Sequence, residues 1–313
     1  MTTCLDDAHL PSRDLDVPTG IVFLNHVMFL YAMSREPSQF PKFAQTDPGL
    51  SILRLAALIA EGGTIDDDTL DLMFEQMESG ALAVVPPAAM WQELTGGLMA
   101  ASPSLMIRAL RECGALDIVL PEISALFGVP QIADPVEVDI GLHLLAALDE
   151  ASRQGAPLEV RFALLVMNVG KSDSPREHLP VHYRHVERGG PRIEAICDRF
   201  EVPAVCRELA LLALAECERV HRVSEIRAGP VAALLERMGA FDDPETFERL
   251  MTVCACDFLA YDGPPGRTYP KKILIDAALA ACTDLDDADD VQAARAVAIA
   301  QAFRSERWSN DTV

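Results

Sequence analysis

RFALLVMNVGKSDSPREHLPVHYRH, residues 161–185, is the stretch from which the rest of the chain is read. Phe162 to Met167 is an unbroken apolar run with no period-two alternation, which predicts a helix over 158–168 buried on most sides. A Gly170-Lys171 loop follows, then a segment carrying His178, His182 and His185. A buried helix entering a Gly-Lys loop and a His-rich segment is the layout of a phosphate-handling metal site.

Outward from this stretch the chain reads as helix after helix. Asp47-Pro48 is a helix start, with an N-cap followed by proline at the first helical position, and the Gly62-Gly63 pair is its stop. Asp66 or Asp67 opens the next helix, whose Leu70, Met73, Phe74 and Met77 share one face. Another follows Pro86-Pro87 with Met90, Trp91, Leu94 and Leu98 inward, and Ser102-Pro103 begins one that runs towards Gly114. Pro121 to Pro135 is punctuated by Pro and Gly and marks a joint. Beyond it, helices are expected at 139–153, 158–168, 186–199, 203–221, 229–238, 244–260, 270–283 and 287–305. The acidic run Asp284 to Asp290 reads as a solvated helix start, where carboxylates suit the helix dipole. No stretch alternates over a useful length, so the predicted fold class is all-α.

Composition agrees. Half the residues are hydrophobic and only 6% aromatic, so the core is built from Leu, Ala, Val and Met. The formal charge of −22, with four lysines (Lys42, Lys171, Lys271, Lys272), repels polyanions at long range and leaves RNA binding to local arginine patches. The eight cysteines (4, 113, 197, 206, 217, 254, 256 and 282) form no Cys-x-x-Cys pair and read as reduced core residues. The N-terminus is acidic and unlike a signal peptide. The longest apolar run, residues 20–33, is shorter than the roughly 20 residues a span requires. A cytoplasmic protein with no membrane partner is the expectation.

The stretches FAQTDPGLSILRLAALIA (43–60), TIDDDTLDLM (64–73), VPPAAMWQELTGGLM (85–99), SPSLMIRALRECGAL (102–116) and LPEISALFGVPQ (120–131) resemble the neck and body of bacterial CCA-adding tRNA nucleotidyltransferases of the type with a C-terminal HD domain. VEVDIGLHLLAALDEA (136–151), LEVRFALLVMNVGKSDSP (158–175), LPVHYRHVERGG (179–190) and CDRFEVPAVCRELALL (197–212) are similar to that HD domain. The resemblance implies a lead-in and apolar helix over 1–37, a neck and body over 38–120, and an HD-like helical domain over 121–313. The family's nucleotide chemistry lies in an N-terminal head, and the neck here begins near residue 40, so nucleotide addition by this chain alone is not expected. The 20–33 helix would cover the surface that the head covers, or serve self-association.

The resemblance also implies a metal site made from a His, an adjacent His-Asp pair and a later Asp. His143 fits the first position and Asp257 the last, whereas the pair itself is Met167-Asn168. A thioether is a poor ligand for a hard divalent ion, and a neutral amide supplies no carboxylate charge. A helical His pair of the family is reduced to Cys217 and His221, and the Gly-Arg after the last Asp becomes Ala260-Tyr261. The degenerate pocket is therefore expected to comprise His143, Met167, Asn168, Lys171, His182, His185, His221 and Asp257, with His143 and Asp257 left as ligands for a weakened Mg, Mn or Ni ion.

Each of these residues has an ordinary structural reading beside the functional one. His143 also reads as a satisfied core histidine, and Asp257 as a carboxylate paired with an arginine. Lys171 reads equally as a phosphate ligand and as a lysine at a helix C-terminus. The three loop histidines read as a polar lid, and Trp91 as core. Arg54, Arg108 and Arg111 lie where the family's tRNA would run and are the candidate RNA contacts, or else simply solvate helix faces. Three functions follow. One is a catalytically degenerate relative that binds tRNA, a nucleotide or a protein. Another is a residual phosphohydrolase using His143, Asp257 and a recruited His182 or His185. The last is the body subunit of an enzyme whose head is a separate chain.

Overall fold

Asp47 opens the first described helix as its place before Pro48 predicts: the Leu50 amide donates to Asp47 Oδ1 at 3.2 Å, and proline occupies a position needing no amide. This helix, α1 (Pro48–Ala60), precedes α2 (Asp67–Glu78), a 3-10 turn (Ala81–Val84), α3 (Pro87–Met99), α4 (Pro103–Glu112) and the one-turn helices α5 (Leu116–Val119) and α6 (Pro121–Ser124). A hairpin, β1 (Pro130–Ala133) with β2 (Val136–Asp139), leads into α7 (Ile140–Arg153), α8 (Leu158–Val166), 3-10 turns at Val169–Lys171 and Arg176–His178, and α9 (His185–Phe200). The chain ends with α10 (Ala204–His221), α11 (Ala228–Arg237), α12 (Pro244–Leu259), α13 (Pro270–Ala281) and α14 (Val291–Asn310). The computed structural model describes residues 47–62, 65–133, 136–224, 227–283, 285 and 289–310. The apolar 20–33 segment and Cys4 lie outside these residues.

The fold is all-α apart from the hairpin. α1 packs on α3 and α4, and α4 on α7; α8 lies against α7, α10 and α12, and α9 covers α10. α11, α13 and α14 form a further group. Two buried polar connections join the first helices to the later ones. Asp149 of α7 accepts from the Ser104 amide (3.1 Å) and hydroxyl (2.6 Å), satisfying the open start of α4. Arg161 of α8, 4% exposed, donates to Ala156 O (2.9 Å), Leu98 O (2.8 Å) and Ala100 O (3.0 Å). Its cation thereby fills the open carbonyls at the C-terminus of α3, the end of a helix that favours positive charge.

Several details differ from the sequence expectations. The joint over 121–135 contains the one-turn helix α6 and half of an antiparallel hairpin, with Gln131 opposite Val138 and Ile132 opposite Glu137. Four-residue strands are too short for alternation to stand out in the sequence. α8 ends at Val166, so Met167 and Asn168 are in the turn that leaves the helix. Phe74 is 45% exposed although Met73 is buried, because α2 presents a narrower face to α1 than its apolar spacing suggests. Trp91 is only half-buried, packing edge-on against Phe162 at 5.5 Å and so linking α3 to α8. The final helix begins at Val291, and Asp290 is its cap, accepting from the Ala293 amide at 3.0 Å. The seven described cysteines are buried, and no disulfide joins any two of them. Among the described residues no helix is long and apolar enough to cross a membrane.

Candidate functional site

Asp257 is the centre of the site. It lies in the last turn of α12, 7% exposed, and receives a histidine on each oxygen. His143, from the second turn of the amphipathic α7, is buried and donates from Nε2 to Oδ1 at 2.9 Å. His221, the last residue of α10, donates from Nε2 to Oδ2 at 3.0 Å. Cys217 lies one turn earlier on α10, on the same face, with Sγ 3.3 Å from His221 Nε2. The other nitrogen of His221, Nδ1, meets the Tyr269 hydroxyl at 2.8 Å. The His143 ring stacks on Tyr261 with centroids 4.0 Å apart.

Electrostatics follow from this enclosure. Burial opposes charge on Asp257, but the hydrogen bonds of His143 and His221 overcome it and hold the carboxyl well below the usual carboxylate range. Burial likewise opposes charge on His221, and the Asp257 carboxylate, with the Cys217 sulfur as a second acceptor for Nε2–H, outweighs it, raising the imidazolium to about 10. The charged ring donates from Nε2 to Asp257 and from Nδ1 to the Tyr269 oxygen. The Cys217 thiol is pushed well up by its contact with Cys254 and by burial, so it is protonated beside that cation.

A second polar group adjoins the first. Gln131 of β1 donates to the Tyr261 hydroxyl at 3.0 Å and accepts from Lys171 Nζ at 3.1 Å. Lys171 is buried and paired with Glu218 at 3.0 Å, and Glu218 also faces His185 Nε2 at 3.4 Å. Burial raises the Glu218 pKa, yet Lys171 and His185 bring it below its ordinary value. Burial, against the pull of Glu218 and with the help of Lys171, holds His185 below its usual value, and burial does the same to His182. His182 donates from Nε2 to Pro130 O at 2.9 Å, and the Ser174 hydroxyl donates to its Nδ1 at 2.8 Å. The loop histidine is thus fastened over the hairpin.

The pocket residues expected from the sequence divide in two. His143, His221 and Asp257 come together directly, while Lys171, His182 and His185 belong to the adjoining group and do not reach Asp257. The histidine recruited to Asp257 is His221, in place of the His182 or His185 that loop crowding suggested. Asp257 pairs with histidines, and the arginine partner expected for it is absent among the described residues. Met167 and Asn168 are both 6% exposed, and the Asn168 carboxamide has no hydrogen-bond partner among the described residues. Lys171 and Gly170 form no open phosphate loop: the lysine is paired, and a Cβ on Gly170 would lie 2.0 Å from His185 O. Three residues of the site escaped sequence reasoning. Glu218 carried a usable signal, three residues before His221 on one helix; Gln131 and Tyr269 carried none, since both act across the fold.

Of the candidate RNA contacts, Arg54 pairs with Glu93 at 2.8 Å and Arg111 lies 4.4 Å over the Phe127 ring. Arg108 is exposed and without a partner among the described residues. Residues 63–127, from the start of α2 through α6, match a family described as "Probable RNA and SrmB- binding site of polymerase A". A multifunctional CCA protein of Cupriavidus necator is 40% identical over 266 residues, covering 80% of this chain and 64% of the relative. The chain is a homologue of the multifunctional CCA proteins. Those of Burkholderia cenocepacia (40% identical over 238 residues, 76% of this chain and 57% of the relative) and Laribacter hongkongensis (42% over 227 residues, 72% and 56%) are similar to it to the same degree. The chain thus spans about three fifths of the length of the curated relatives it matches.

Proposed function

We propose that this chain acts by binding RNA of the tRNA class through its first helices, with the HD-like pocket retained as a structural element that has lost the family's hard-metal hydrolysis. The match of residues 63–127 to an RNA-binding family carries the first half, and Arg108, exposed and without a partner among the described residues, supplies with Arg111 cations for phosphate. The second half rests on Met167-Asn168, which offer a thioether and a neutral amide where a His-Asp pair would be needed. His221 then supplies, as an imidazolium, the positive charge that keeps Asp257 ionised in the interior.

The test is binding of a fluorescent tRNA acceptor-stem hairpin, measured by anisotropy against a duplex DNA of equal length. Saturable preference for the hairpin, weakened about tenfold by Arg108→Glu, is expected, one good contact being worth about that factor. Equal binding of both nucleic acids, or incorporation of CTP or ATP into tRNA by this chain, would overturn the proposal. A second reading, a residual phosphohydrolase, is favoured by the direct approach of His143 to Asp257. It predicts metal-dependent cleavage of a 2′,3′-cyclic phosphate that His143→Ala abolishes.

A further inference from the structure

Cys217 Sγ, His221 Nε2 and one Asp257 oxygen lie within 4.8 Å of one another, with 3.3 Å from sulfur to nitrogen and 3.0 Å from nitrogen to Oδ2. Ligands about 2.0–2.3 Å from a tetrahedral zinc ion are separated by roughly 3.3–3.6 Å, which the sulfur–nitrogen and nitrogen–oxygen separations already approach, so the sulfur and the carboxylate oxygen need only draw together to seat one. We propose that these three residues form a binding site for a thiophilic divalent ion of the zinc class, sharing Asp257 with the site the resemblance implies but adding a sulfur ligand and a different metal preference. The sulfur decides the preference: thiolate with imidazole suits zinc and cobalt, and disfavours magnesium and manganese.

The surroundings are those of a built site. A histidine that ligates a metal is ordinarily oriented through its second nitrogen, and Tyr269 holds His221 Nδ1 at 2.8 Å. A ligating carboxylate is ordinarily fixed through its second oxygen, and His143 donates to Asp257 Oδ1 at 2.9 Å. Three protein ligands are the number found in sites that keep a fourth position for water or a substrate group. The side chain of His221 remains 26% exposed, which gives the ion a way in.

A thiol and an imidazole nitrogen bind a metal ion only once deprotonated, so binding here releases protons and strengthens as pH rises. Tyr269 stays against His221 Nδ1, the nitrogen that does not meet the ion.

Cobalt(II) titrated into the chelator-treated full chain is the test. One equivalent is expected to bind with the d–d bands of a four-coordinate ion and a near-ultraviolet sulfur-to-cobalt charge-transfer band, to release protons, and to be displaced by zinc. Cys217→Ser removes the charge-transfer band, Cys254→Ser, which changes the neighbouring thiol, keeps it, and Tyr269→Phe weakens binding about tenfold. Absence of saturable binding, octahedral cobalt without a thiolate band, or a band that survives in Cys217→Ser would overturn the proposal. If circular dichroism shows Cys217→Ser unfolded, the charge-transfer band and proton count of the unaltered chain decide. These readings are independent of RNA binding, so each proposal fails separately.

Discussion

At the scale of single residues, the protein places a carboxylate between two imidazoles in its interior and keeps it ionised. The dependence on pH follows from the shifts. Asp257 is depressed, so its contribution is present above about 3.8 and is lost as pH falls through its lower folded value. His221 is raised from 6.5 to about 10, so its contribution is complete below 6.5 and disappears as pH rises towards 10. In chelator, Asp257→Asn should therefore lower unfolding stability by about 3 kcal/mol, since one partner of a buried pair is neutralised. The deficit measured by urea denaturation should be largest between about pH 4 and 6.5 and should shrink above it. A deficit independent of pH would show that the carboxylate is not the partner of His221. A second substitution addresses the turn after α8. Restoring the pair as Met167→His with Asn168→Asp should tighten manganese binding by more than about tenfold, the step that even an outer partner of a ligand is worth. Calorimetric titration that finds no gain would place positions 167 and 168 outside any metal pocket.

At the scale of elements, the site depends on how closely one turn approaches one helix. The Val169–Lys171 turn packs on α9, where a Cβ on Gly170 would lie 2.0 Å from His185 O and 2.7 Å from Gly189 N. Gly189 is close to the Leu214 methyls of α10 in turn, at 2.8 Å. The Gly170 contacts are with backbone atoms that cannot swing aside, so Gly170→Ala should cost about 2 kcal/mol in urea unfolding and loosen Lys171 from Glu218. Arg161 acts between elements. Arg161→Met keeps the stem and deletes the cation, leaving Leu98 O and Ala156 O without their donor while Ala100 O keeps the Ser152 hydroxyl. A loss of about 3 kcal/mol is expected from the unmet carbonyls, and hydrogen exchange at the end of α3 should rise with it.

At the scale of the whole molecule, charge constrains what the first helices can do with RNA. A chain of net charge −22 repels a polyanion that comes within about a Debye length, so binding depends on a few local cations. Arg54 is paired with Glu93, which leaves Arg108 and Arg111 as the principal contacts in this region. Binding that uses two or three phosphates gives a shallow salt dependence, with log K falling against log salt at a slope of about −2 to −3. A slope steeper than about −6, measured by anisotropy between 50 and 200 mM salt, would require a larger basic surface than these arginines provide.

The sequence alone determined the helices, because capping residues, proline positions and apolar periodicity act within a turn or two of the chain. Asp47 and Asp66 cap the helices they announce, and Met167-Asn168, where the resemblance implies a His-Asp pair, is read without any structure. The hairpin was hidden by its brevity, and Phe74 by a face wider in sequence than in packing. What surrounds Asp257 was decided by tertiary structure. His143 lies 114 residues from it and His221 lies 36, on helices whose packing angles no local pattern encodes. Cys217 and His221 announce a shared helix face. Only the packing of α10 on α12 turns that face towards a carboxylate, and with it a spacing becomes a site.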